Sequence, residues 1–111
     1  TRPIVVADIA DNPGGGASSD STFILRALLE AGLGNVALGS FWDLGALQIC
    51  RDAGVGARLR LRLGGKCGPA SGDPVDLTVT VRAVKDAHQQ SVAGHPAFPC
   101  GPSAWVATDE G

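Results

Sequence analysis

Residues 4–16 read IVVADIADNPGGG. The first four residues are apolar and mostly β-branched, which is typical of a strand buried on both faces. The turn Asp11–Gly16 then interrupts regular structure, because Pro13 lacks a backbone donor and the three glycines permit positive φ. This stretch therefore predicts a first strand followed by a glycine-rich turn, with a helix expected next.

The segments after the turn alternate between helix and strand patterns. Apolar residues recur at three- and four-residue spacing over Phe23–Ala31, which predicts a helix that the polar residues 18–20 can cap. Val36–Gly39 is predicted as a second strand. A second helix is predicted from Asp43, its cap, to about Ala53, where Gly54 stops it.

The later strand patterns alternate instead of being continuously apolar. In Ala57–Leu63, Arg and Leu alternate strictly, which predicts an edge strand or one whose second face is open to solvent. Val75–Val84 also alternates without a helix before it, so we expect antiparallel pairing there, and Trp105–Ala107 is a short last strand. The order predicts an α/β domain. Its small two- or three-layer β-α-β-α-β core would have parallel strands, with an antiparallel extension.

Composition limits the class of protein. The 111 residues suit one domain, and 44% hydrophobic with 18% charged residues is an ordinary globular mixture. A net charge of -2 gives no basic footprint for nucleic acid, and no apolar run approaches the roughly 20 residues of a membrane span. Three widely spaced cysteines and no visible secretion leader predict reduced thiols in a cytoplasmic protein.

The glycine-rich turn is the strongest candidate for a binding site. In open α/β sheets ligands bind at the carboxyl ends of strands, and glycine amides before a helix attract anions. Gly14, Gly15 and Gly16 would therefore bind a phosphate or carboxylate. No Gly-Lys-Ser or Gly-Lys-Thr follows, and the contiguous glycines do not match a dinucleotide fingerprint. The alternative is that these glycines only make a tight turn.

Polar side chains near the turn are the next candidates. Asp8, Asp11 and Asn12 could hold a metal, act as a base or bind a substrate amine. Alternatively, Asp11 and Asn12 only hydrogen-bond the turn backbone. Lys66 follows Gly64-Gly65 at the end of the third predicted strand, where it could reach the same anion or be an ordinary surface lysine.

Other groups carry weaker signals. Hydroxyls in Asp20-Ser21-Thr22 could face a ligand, but helix capping explains them more simply. His88, His95 and Cys100 lack the tight spacing of zinc ligands, which favours surface histidines. The arginines of Ala57–Leu63 are typical of a solvated face that protects a sheet edge.

Several motifs together resemble the C-terminal domain of the microcystinase C (MlrC) family of zinc-dependent hydrolases. The longest is Ala10–Ala17 with Asp20-Ser21-Thr22 behind it, and Ala53–Ala57, Leu63–Lys66 and Gly72-Asp73-Pro74 support it. The resemblance covers most of Ile4 to about Val84.

The resemblance implies a parent enzyme of metallopeptidase type that uses zinc to hydrolyse a small peptide or amide substrate. It implies that the zinc ligands belong to a preceding N-terminal domain of the same parent chain, with none expected in these 111 residues. The positions expected to line the interdomain cleft are Asp11, Asn12, Gly14, Gly15, Gly16 and Lys66. Because the family's domain continues past the position of Trp105, we expect a truncated single domain, inactive by itself.

Two alternatives to a hydrolase domain stay open from the sequence. The first is a non-catalytic module that binds phosphate or another anion at the turn. The second is a structural or dimerisation domain, in which sheet edges exposed by truncation lead to homo-oligomers.

Overall fold

A computed structural model describes residues 2–109. Within these residues the chain forms two helices, a three-stranded sheet and two short 3-10 turns. These elements are the turns Pro13–Gly15 and Pro69–Ser71, the helices α1 (Phe23–Glu30) and α2 (Leu44–Ala53), and the strands β1 (Arg58–Leu63), β2 (Val75–Gln90) and β3 (Phe98–Ala107). The sheet order is β1-β2-β3, and both pairs of neighbours are antiparallel.

The strand β1 lies at an edge of the sheet, as its alternating pattern predicts. Leu61 is buried on the inner face, whereas Arg62 is exposed on the outer face. The Arg62 guanidinium donates two hydrogen bonds of 2.9 Å to the Asp76 carboxylate, its partner on β2. The antiparallel pairing predicted for Val75–Val84 is also confirmed, although β2 continues to Gln90.

The core lies between α2 and the inner face of the sheet. It contains Ala46 and Cys50 from the helix together with Leu61, Val79 and Val81 from the strands. The helix begins as predicted, because the Asp43 carboxylate accepts a hydrogen bond from the Ala46 amide at 3.0 Å. Gly54, with φ 86°, ends it. Burial raises the pKa of the Cys50 thiol, which suits a small apolar core residue.

The predicted parallel β-α-β-α-β core is wrong. Neither Ile4–Ala7 nor Val36–Gly39 forms a strand, and within residues 2–109 neither segment makes a backbone–backbone hydrogen bond. Ile4 and Val5 are 91% and 89% exposed. A β-branched composition favours an extended backbone, but a strand also requires a neighbouring edge. Here β1 and β3 both pair with β2, so all ladder contacts of the sheet are made by later segments.

The helix α1 is also less buried than its predicted apolar stripe suggests. It has no fully buried residue, and Phe23 at its start is 59% exposed. Among residues 2–109, α2 is the helix that packs against all three strands. No helix in the described part of the chain is long and apolar enough to cross a bilayer.

Candidate functional site

The glycine-rich turn folds into a 3-10 turn that uses its own backbone donors. The Gly14 amide donates to Asn12 Oδ1 at 2.8 Å, and the Gly15 amide donates to the Asn12 carbonyl at 3.0 Å. The Gly16 amide donates to the Pro13 carbonyl at 3.0 Å, with φ 93° at Gly16. All three predicted anion donors are thus engaged within the turn. An anion bound there would have to displace these hydrogen bonds.

Asp11 connects this turn to the residues that precede α1. Its two carboxylate oxygens accept hydrogen bonds from the amides of Ser19 at 2.9 Å and Ser21 at 2.8 Å. Asp8 makes a more local contact, with the Ala10 amide at 2.9 Å. Both carboxylates therefore bind backbone amides of the loop and fix its conformation.

Asp11 and Asn12 line an open pocket of about 310 Å³. Its apolar side is formed by Ile24 and Leu25 of α1 together with Leu38 and Phe41. The lining also contains Pro13, Gly39 and six residues with hydrogen-bonding side chains, which are Asp8, Asp11, Asn12, Ser19, Ser21 and Ser40.

Sequence reasoning missed the contribution of residues 38–41 to this pocket. The Ser19 hydroxyl donates to the Ser40 carbonyl at 3.1 Å, and the Trp42 amide donates to the Ser19 carbonyl at 2.8 Å. These contacts join positions about twenty residues apart, so no local motif marks them.

Lys66 is not in this pocket. It lines a second, wider groove of about 700 Å³ with Phe23, Arg26 and Asp73, whereas Gly14–Gly16 line neither cavity. Lys66 Nζ forms an ion pair with Asp43 and donates to the Arg62 carbonyl at 3.0 Å. The structure therefore does not bring the six predicted site residues together in one cavity.

Asp43 holds the start of α2 to the turn after β1. Its side chain is 3% exposed, and it accepts a hydrogen bond from the Gly64 amide at 2.8 Å in addition to its contacts with Ala46 and Lys66. Burial acts to raise the pKa of this carboxyl, but Lys66 and the two amides outweigh burial and lower it.

Asp20 is the buried centre of the region, and helix capping does not explain it. The residue is 1% exposed. Its carboxylate accepts hydrogen bonds from the hydroxyls of Ser18 at 2.6 Å and Ser71 at 2.5 Å. It also accepts hydrogen bonds from the backbone amides of Lys66 at 2.8 Å and Cys67 at 3.0 Å. Burial acts to raise the pKa of Asp20, but these hydrogen bonds outweigh it and hold the pKa far below its ordinary value.

Thr22 makes the second buried contact to the same loop. Its hydroxyl donates to the Asp73 carbonyl at 2.6 Å, and it makes no capping hydrogen bond to α1, although it precedes the helix. The capping interpretation of Asp20-Ser21-Thr22 is therefore wrong. Asp20 and Thr22 hold residues 66–73 against the chain before α1, and the partners in that loop lie 46 to 51 positions away, beyond the reach of any local pattern.

The described residues do not assemble a metal site. Among residues 2–109, no group of three His, Cys, Asp or Glu side chains is close enough to hold an ion. His88 lies on β2, His95 in the β2–β3 connection and Cys100 on β3. The three cysteines are free thiols, as their odd number and wide spacing indicate.

Comparison with known proteins supplies the family. The family model described as MlrC C-terminus matches residues 6–111. Microcystinase C from Sphingomonas sp. is 40% identical over 92 residues, which cover 83% of this chain and 18% of the relative. The crystal structure of a candidate metallopeptidase from Mesorhizobium sp. BNC1 matches with a TM-score of 0.76 and 25% identity, over 90% of this chain and 21% of that one.

The chain thus spans about a fifth of the length of each of these two relatives. The match to the family model includes the turn, the buried Asp20 and all three strands. This chain belongs to the MlrC C-terminal family.

Proposed function

We propose that this domain forms the substrate side of a zinc-dependent amide or peptide hydrolase. In this proposal the metal ligands belong to the N-terminal domain of the same parent chain, and residues 1–111 are part of its C-terminal domain. Support comes from the family and from the similarity to microcystinase C and to a candidate metallopeptidase. The observation that carries the proposal is the pocket in which Asp11 and Asn12 lie beside apolar side chains.

The lining of that pocket suits a peptide. A peptide alternates hydrogen-bonding backbone groups with side chains that are often apolar, and this pocket offers both kinds of surface. Asn12 Oδ1 accepts a hydrogen bond from the Gly14 amide. The side-chain Nδ2 of Asn12 carries two hydrogens that can bind a carbonyl or a carboxylate. Asn12 is therefore our first candidate for direct contact with substrate.

The other proposed site residues have different roles. Gly14, Gly15 and Gly16 shape the turn that presents Asn12, because their amides are already engaged. Lys66 Nζ has a third hydrogen beyond its contacts with Asp43 and the Arg62 carbonyl, and with Arg26 in the wider groove it would bind a carboxylate at a more distant part of the substrate. A phosphate-binding module is less well supported, because it would need the glycine amides to be available.

A zinc measurement tests the division of labour between domains. The described residues by themselves do not fit a zinc site, since they contain no cluster of ligands. We expect the purified parent protein to contain stoichiometric zinc and residues 1–111, expressed separately, to contain none, as measured by atomic emission spectrometry. Tight stoichiometric zinc in the shorter chain would contradict the proposal.

Replacing Asn12 by Asp tests the pocket. Asn12→Asp keeps an oxygen for the Gly14 amide but removes the donors and adds negative charge. We expect KM of the parent protein for a linear peptide to rise roughly tenfold, with a smaller change in kcat. Asn35→Asp is the matched control, because Asn35 lies outside the pocket. Equal kinetics for the two variants would remove Asn12 from the binding site.

A further inference from the structure

The apolar segment before the glycine-rich turn has no cover within the described chain. We define the apolar arm as residues 4–9. Ile4, Val5, Val6 and Ile9 in this arm are 91%, 89%, 78% and 87% exposed. Isolated exposed apolar residues are common, but three consecutive β-branched side chains exposed to this degree are not what a monomer surface normally presents.

The backbone of the arm is also unpaired. In the part of the chain that the structure describes, residues 4–7 neither donate nor accept a backbone–backbone hydrogen bond. The β-branched residues favour an extended conformation, in which donors and acceptors point sideways toward a neighbour. The arm therefore presents both an apolar surface and backbone groups to whatever lies beside it.

The structure points to a partner outside residues 1–111. We propose that the apolar arm docks, through its side chains and backbone, onto an apolar surface in the remainder of the parent chain. About four-fifths of each of the two relatives lies outside the matched region, so the parent has ample chain to provide that surface. The incorrect parallel core would have paired these residues with strands of this domain. In the present proposal the partner lies outside this domain.

The position of the arm gives the docking a consequence for the site. Asp8, within the arm, lines the pocket that contains Asp11 and Asn12. A surface that covers the arm must therefore adjoin the open pocket. The inference rests on the part of the proposed function that places this domain in a longer chain. It does not depend on hydrolysis or on zinc.

Hydrogen exchange of the parent protein, without substrate, tests the docking. We expect the amides of residues 5–7 to exchange at least about tenfold more slowly than in an unstructured peptide of the same sequence. Exchange at the rate of the peptide would overturn the proposal. Protection that varies with protein concentration would also overturn it, since the cover would then be a second copy.

A pair of lysine substitutions tests the same contact independently. Val5→Lys places a charge in the arm, and Val55→Lys is the matched control at a valine that is 66% exposed beyond α2. We expect Val5→Lys to abolish the protection of residues 5–7 and Val55→Lys to retain it. Protection retained in both variants would overturn the docking. Because exchange is read without catalysis, protected amides in a parent with no hydrolase activity would leave the docking standing and refute only the proposed function.

Discussion

Replacing Asp20 by Ala is expected to destabilise the domain by about 4 kcal/mol. The carboxylate is 1% exposed and accepts four hydrogen bonds, from Ser18, Ser71, Lys66 and Cys67. Its removal leaves two backbone amides and two hydroxyls without their acceptor, in a space that alanine does not fill. Chemical denaturation monitored by circular dichroism measures the loss in free energy of unfolding.

Asp86→Ala is the control for that substitution. The Asp86 side chain is 86% exposed, and it contacts Arg51 at 3.0 Å on the surface. Exposed ion pairs of this kind contribute about 0–1 kcal/mol. If Asp20→Ala and Asp86→Ala destabilise the domain equally, Asp20 does not hold the loops together.

The contribution of Asp20 to the free energy of unfolding depends on pH. The pKa of Asp20 is lowered in the folded state from an ordinary 3.8, so the unfolded chain binds the proton more readily. The contribution of Asp20 to stability is therefore complete well above pH 3.8 and declines as the pH falls below it toward the folded pKa. The difference between wild type and Asp20→Asn should shrink from pH 7 to pH 3. A constant difference would contradict the lowered pKa.

Gly65→Ala is expected to cost more than about 3 kcal/mol, because both backbone conformation and space exclude a side chain. Gly65 has φ +64°, and an added Cβ would lie 2.4 Å from the Pro74 nitrogen and 2.6 Å from the Asp73 carbonyl carbon. These are backbone atoms of the loop that Thr22 holds, so they cannot rotate away. Thermal and denaturant unfolding measure the effect.

Gly32 provides a control with the same backbone conformation. Its φ is +65°, and an added Cβ meets nothing within 4 Å. Gly32→Ala should therefore show only the conformational cost, about 1–2 kcal/mol. The difference between the two variants isolates the close approach of Gly65 to the backbone of residues 72–74. Similar losses for the two variants would mean that this approach is looser than the structure shows.

The helix α2 and the strand β1 could be predicted because their determinants are local. Asp43, immediately before the helix, caps it by accepting a hydrogen bond from the Ala46 amide, and Gly54 ends it. The alternation of Arg and Leu in β1 already identifies its buried face. In both elements, the residues that specify the conformation lie within or next to the segment.

The structure brings together only some of the predicted site residues. The turn Asp11–Gly16 was located by composition, and Asp11 and Asn12 do line a pocket. The structure, however, engages the glycine amides within the turn and places Lys66 in a different groove. Ser40 and Phe41 join the pocket through contacts that no local pattern encodes.

Local sequence was sufficient wherever one segment carries its own periodicity, cap and stop signal. It was insufficient for Ile4–Ala7, whose β-branched residues specify an extended backbone but not the neighbour that would make it a strand. It was also insufficient for Asp20, because three of its four hydrogen-bond partners, Lys66, Cys67 and Ser71, lie 46 to 51 residues away. Pairing and burial depend on which distant segments meet, because hydrogen bonds and apolar contacts require two surfaces and each segment encodes only one of them.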